Sequence, residues 1–150
     1  MEIMEPNSAI PKFKYLDHTS EAKFQANGAT MEEAFAHSVL AMFNMLTDIK
    51  KVKPVLRKEI EIKAPKLDTL LFDFLDQFVV LLDTDGFIAN QVDSLKITKK
   101  FEMYTLKAIV RGDSYKDYDV HGSLKAITYN DMVIKQQKNG TWIVQVVVDI

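Results

Sequence analysis

Beyond Gly86 the chain is written almost entirely in period two, and this constrains its fold more than any other feature. Residues 94–99, 103–111 and 123–136 each alternate apolar with polar side chains, the pattern of a strand with one wet face. Asn139-Gly140 is a hairpin signal, and residues 142–148 behind it are nearly continuous in β-branched types. Upstream, residues 55–64 alternate until Pro65 stops them, and 13–17 and 22–26 form two shorter runs. Two segments depart from this period. Thr30 and Glu33 stand in capping-box spacing and predict a helix from about Met31, with Met31, Ala34, Phe35, Val39, Met42 and Leu46 facing inward. Asp68 predicts the N-cap of a second helix running to about Leu82, apolar on nearly every side and therefore expected at the centre of the core. Asp83-Thr84-Asp85-Gly86 then predicts a turn. The order β-β-α-β-α followed by a β-meander gives an α+β fold: two helices packed on a largely antiparallel sheet, or on two small sheets, in a single domain.

The 150 residues suit one domain of about 15 Å radius of gyration, with a core that needs no covalent staples. Residues 1–12 are expected to be flexible, leaving 13–150 as the folded domain. The absence of cysteine excludes a disulfide scaffold, a thiolate metal site and a cysteine nucleophile, and points to a reducing compartment. Nineteen basic against 21 acidic residues argue against a protein that neutralises many phosphates over its whole surface. The longest apolar run, 70–82, is interrupted by Asp73, Asp76 and Gln77 and falls short of the roughly 20 residues that cross a bilayer. A cytoplasmic, intracellular protein is expected.

Three places could carry chemistry. In Asp17-His18-Thr19-Ser20-Glu21, carboxylates four apart across a turn could share a hard cation, with His18 as base or ligand. A hydrated turn is the plainer alternative. At the chain end, Asp149 and the α-carboxylate of Ile150 set two negative charges on adjacent residues, which disfavours burial unless a cation is present. A frayed end is the alternative, although the apolar strand before it would pin it. Lys125, opening Lys125-Ala126-Ile127-Thr128-Tyr129, is either an outward strand residue or a contact for a phosphate or a partner. Asp83 and Asp85 with Gly86 look like half a calcium loop but lack its ligand series. His37 and His121 read as ordinary helix and loop residues. No phosphate-binding glycine loop, Ser-His-Asp signature or HExxH occurs.

These segments together resemble the archease family. The likeness is carried by Tyr15-Leu16-Asp17-His18-Thr19-Ser20-Glu21, by Glu32-Glu33-Ala34-Phe35 with Met42-Phe43 and Leu46-Thr47-Asp48, and by Leu70-Leu71-Phe72-Asp73-Phe74-Leu75-Asp76. Lys125 to Tyr129 and the final Asp149-Ile150 complete it. The resemblance implies an α+β fold and a protein cofactor of an RtcB-type RNA ligase, which joins split tRNA halves through a guanylylated histidine. Such a protein promotes guanylylation and multiple turnover without being an enzyme itself, and meets tRNA only through the ligase. It also implies a divalent cation, most simply Ca²⁺, held by Glu21, Asp149 and Ile150, with Lys125, Asp17 and His18 serving the partner or activation. The family's His-Thr-Ala-Asp reads His18-Thr19-Ser20-Glu21 here, so a longer carboxylate stands in the ligand position. Calcium, with 6–8 ligands in flexible geometry, accommodates that change more easily than magnesium. Two other readings compete. A stand-alone metal-dependent hydrolase would use Glu21 and Asp149 around a cation-bound water but has no clear base beyond His18. A chaperone-like or RNA-chaperoning module would require an apolar groove or a basic stripe, and the sequence displays neither.

Overall fold

The structure, a computed structural model, describes residues 12–16 and 21–150, and in it both helices touch two separate sheets. In chain order the elements are β1 (Phe13–Leu16), β2 (Ala22–Gly28), α1 (Met31–Asn44), β3 (Leu56–Ala64), α2 (Leu67–Asp85), β4 (Phe87–Lys100), β5 (Met103–Ser114), β6 (Ala126–Gln136) and β7 (Trp142–Asp149). The first sheet runs β1-β2-β7-β6 and the second β3-β5-β4, with every pairing antiparallel. Of the arrangements open to the sequence, two small sheets is the one adopted.

Helix α1 starts where its capping box places it. The Thr30 hydroxyl accepts from the Glu33 amide at 3.1 Å, and the Glu33 carboxylate accepts from the Ala29 amide at 3.3 Å. Nine of its fourteen residues are buried, among them Phe35, Val39, Met42 and Phe43. Only six of the nineteen in α2 are buried. The sequence expectation that α2 occupies the centre is thus corrected: α1 lies against β2 and β7 of one sheet and β4 of the other, so its position, more than its composition, encloses it. Phe78 of α2 meets Phe43 of α1 edge-on at 6.0 Å and Phe74 at 5.2 Å, joining the helices at the core.

Several boundaries move for identifiable reasons. Lys66, not Asp68, is the N-cap of α2, and Asp68 sits inside the first turn, accepting from the Thr69 amide at 2.7 Å. The helix continues past Leu82 through Asp85 until Gly86, whose φ of 67° ends it. The expected turn at 83–86 is therefore its last turn and cap. A Cβ at Gly86 would lie 2.6 Å from the Tyr115 ring on a left-handed backbone, so a larger residue there is strained. Strand β4 begins at once, at Phe87 and not 94, because register shifts between Ala89 and Gln91 and between Val92 and Ser94 erase its period-two pattern. Strand β6 opens at Ala126, leaving residues 123–125 as its approach.

Candidate functional site

The β2–β7 ladder pairs Ala22 with Val148, and the β6–β7 ladder pairs Ala126 with Asp149. Glu21, one residue before β2, and Lys125, one residue before β6, therefore come to the same sheet end as Asp149 and Ile150. The Lys125 amide donates to the Asp149 carbonyl at 2.9 Å, one residue off the β6–β7 register, and so holds Lys125 against the end of β7. Four predicted site residues from opposite ends of the chain thus meet at one end of the first sheet. Lys125 is exposed and stands one residue before β6. Ile150 is half exposed and Asp149 partly buried. Asp17 and His18 lie outside the described residues.

Beside this end opens a cleft of about 360 Å³, bounded by Tyr15, Lys23, Asn44, Leu46, Gly122 and Ile150 among others. The Tyr15 hydroxyl donates to the Ala41 carbonyl at 3.0 Å and accepts from Asn44 at 3.3 Å, and burial pushes its phenol above the ordinary value. The opposite wall is fastened to the turn that follows α1. The His121 amide donates to the Leu46 carbonyl at 2.9 Å, and the buried Thr47 hydroxyl to the Asp119 carbonyl at 2.8 Å. Asp48 caps the short 3₁₀ turn that follows, accepting from the Lys50 amide at 3.1 Å. The Leu46-Thr47-Asp48 segment therefore shapes the cleft without supplying reactive groups to it.

Sequence reasoning missed how the site is braced along β6. The register jumps from Thr128↔Val147 to Val133↔Gln145, so residues 129–132 form a wide bulge with Asp131 at a φ of 53°. Tyr129 stacks on Phe72 of α2 at 4.3 Å, nearly parallel, and Asp131 reaches Lys23 of β2 at 3.3 Å. Gln145 donates to the Asp131 carbonyl at 2.8 Å. The polar pair Asn130-Asp131 inside an otherwise alternating run is the signal that could have revealed this bulge.

The groups that the sequence reading assigns to a cation here, the Glu21 and Asp149 side chains and Ile150, offer only oxygen. Such a set fits a hard, flexible cation, and calcium better than magnesium. Among the described residues no three histidine, cysteine or acidic side chains gather closely enough to hold a metal by themselves. Asp83 and Asp85 offer no rival. Asp85 pairs with Lys58 at 2.9 Å, and that hydrogen bond, helped by Thr84, holds its carboxyl below the usual range.

The profile of the Archease protein family (MTH1598/TM1083) matches residues 13–150. The chain is similar to the protein named Protein archease from Methanosarcina barkeri, at 38% identity covering 93% of this chain and 96% of that one. A second Protein archease, from Thermococcus gammatolerans, is 33% identical, covering 93% of this chain and 99% of the other. Among solved structures, the solution structure of Methanobacterium thermoautotrophicum protein 1598 superposes with a TM-score of 0.79 at 27% identity, covering 93% and 99% of the two chains.

Proposed function

We propose, since the chain belongs to the archease family, that it is a protein cofactor of an RtcB-type RNA ligase and promotes the ligase's guanylylation and multiple turnover. The observation that carries this reading is the meeting of Glu21, Lys125, Asp149 and Ile150 at one sheet end beside an open cleft. A half-exposed group of carboxylates rimmed by a lysine suits contact with a partner's phosphates and cations. Glu21, Asp149 and Ile150 would hold a calcium ion, which when bound supplies positive charge that lets three anionic groups stay close. The chain's own contribution is positional. The β2–β7 and β6–β7 ladders present these groups at a fixed spacing, and the exposed Lys125 ammonium is available to a phosphate on the partner. No helix among the described residues is long and apolar enough to cross a membrane. Function in the cytoplasm, beside a soluble ligase, accords with that.

The test is direct. Added to a purified RtcB-type ligase with GTP, the protein should increase covalent guanylylation of the ligase and allow more than one turnover per enzyme. RNA hydrolysis by the protein alone, abolished by Glu21→Ala, would instead establish the hydrolase reading.

A further inference from the structure

The β4–β5 hairpin turns on Phe101-Glu102, and both residues carry positive φ, 50° and 64°. A two-residue turn of this hand is satisfied by Asn-Gly, whereas a bulky aromatic adopts it only under strain. Phe101 is 89% exposed, so no packing in the fold requires it there. Lysines stand next to it and farther back along both strands, Lys99 on one face of the hairpin and Lys96, Lys100 and Lys107 on the other. Lys100 lies over the Phe101 ring at 5.6 Å and Lys99 over the Tyr104 ring at 5.2 Å. Lys96 stands directly opposite Lys107 in the ladder, a like-charge pairing that destabilises a sheet. The acidic groups nearby are Glu102 in the turn and Glu61, which is 3.8 Å from Lys107 and also shared with Lys63 at 3.9 Å. The tip is therefore cationic in a chain whose net charge is −2. Lysines on an edge strand also discourage edge-to-edge pairing, but that role asks nothing of a left-handed, exposed phenylalanine.

We propose that this tip binds an unpaired stretch of RNA, with Phe101 stacking on a base and Lys96, Lys99, Lys100 and Lys107 contacting phosphates. An aromatic platform within a basic surface is the chemistry that holds single strands without sequence preference. The choice of RNA over DNA rests on the ligase reading above; the stacking and the charge do not. The tip also stands apart from the carboxylate end. The Gly86 end of β4 borders a hollow that shares Leu46, Gly122 and Ser123 with the cleft beside Ile150. The tip lies at the other end of that fourteen-residue strand, roughly 40 Å away at about 3.3 Å per residue. One molecule could thus hold RNA at one end while its carboxylates face the ligase.

Binding is measured by fluorescence anisotropy with labelled oligouridylate and this protein alone. Without ligase in the cuvette, failure here is separate from failure of guanylylation. At about 50 mM salt saturable binding is expected, weakening as salt rises with a log–log slope of about −2 to −3, the value for four phosphates on a single strand. Phe101→Ala should weaken binding about tenfold. Phe101→Trp should retain it, with emission at the tip quenched by the stacked base. Asp149→Asn should leave it unchanged. Absence of saturable binding overturns the proposal, as does equal affinity for a duplex of the same length. Equal competition by oligoglutamate would reassign the tip to an acidic protein surface, and tighter binding of oligothymidylate would overturn the choice of RNA.

Discussion

The carboxylate end of the first sheet joins residues from the two extremities of the chain, Glu21 on one side and Asp149 and Ile150 on the other, whereas the tip of the second sheet is one turn between neighbouring strands. The first exists only if the β2–β7 ladder and the helix beneath it are intact. The second asks for a hairpin and little else. The difference predicts how each responds to change: the carboxylate end should fail with the core, and the tip should respond to substitutions that leave the core alone.

The largest effect expected is on the ladder itself. Phe24 faces Val146 across β2 and β7 and is fully buried. Phe24→Ala should cost about 3–5 kcal/mol, a large part of the roughly 5–15 kcal/mol that holds such domains folded. A fall in the urea midpoint at unchanged slope is the expected record. A loss below about 1 kcal/mol would mean that the first sheet repacks around the cavity and that the core does not hold the carboxylate end in place.

Next in size is the cation. Calcium at 100 times its dissociation constant should stabilise the folded chain by about 2.7 kcal/mol if the unfolded chain binds none. Asp149→Asn should reduce that gain and lower ligase activation about tenfold, near 1.4 kcal/mol, with little effect on the metal-free melting temperature. Extending the chain a few residues beyond Ile150 moves the carboxylate away while keeping every side chain. Should the extended protein keep its calcium response and activation, Ile150 contributes no carboxylate to the site.

These two regions also differed in how far the sequence disclosed them. Thr30 and Glu33 announced α1, alternation announced β3, and Asn139-Gly140 announced the β6–β7 turn, because each rests on local chemistry that the fold left undisturbed. The carboxylate end was legible through the family likeness of its segments, since no local pattern says that Glu21 and Asp149 will be neighbours. The first half of β4 was hidden by its bulges, and the length of α2 by the reading of Asp83 to Gly86 as a turn when only Gly86 leaves the helix. The hairpin tip stayed hidden for two physical reasons. Phe101-Glu102 lacks the residues that such a turn favours, and a charge summed over the whole chain conceals lysines gathered at one point.

Acid should act on the first sheet through its other end. His37 of α1, 6% exposed, donates from Nδ1 to the Asn27 carbonyl of β2 at 2.6 Å. Burial is the main cause that lowers its pKa below the ordinary value, and the Asn27 carbonyl opposes it. The unfolded chain therefore takes up this proton first. Stability is fully present above the unfolded value near 6.5 and declines as the pH falls towards the lower folded value, by at most about 1.4 kcal/mol per pH unit for one proton. Urea midpoints at about pH 7.5 and pH 5 should differ more for the native chain than for His37→Gln, since the variant removes this proton from the balance. Equal differences would mean that His37 titrates alike folded and unfolded.

The smallest expected change is the most discriminating for the comparison, because it separates stability from function at the tip. Replacing Phe101-Glu102 by Asn-Gly substitutes residues that accept left-handed backbone for two that resist it, so the double variant should gain about 1 kcal/mol, a rise of a few degrees in melting temperature. The same change removes the aromatic platform, so RNA binding should weaken about tenfold, as for Phe101→Ala. Calcium stabilisation and ligase guanylylation, which the proposed function assigns to the far end of the molecule, should keep their native values. A variant that gains stability and still binds oligouridylate would show that Phe101 does not stack on the strand. One that loses stability would show that the native turn is held by contacts worth more than its backbone strain.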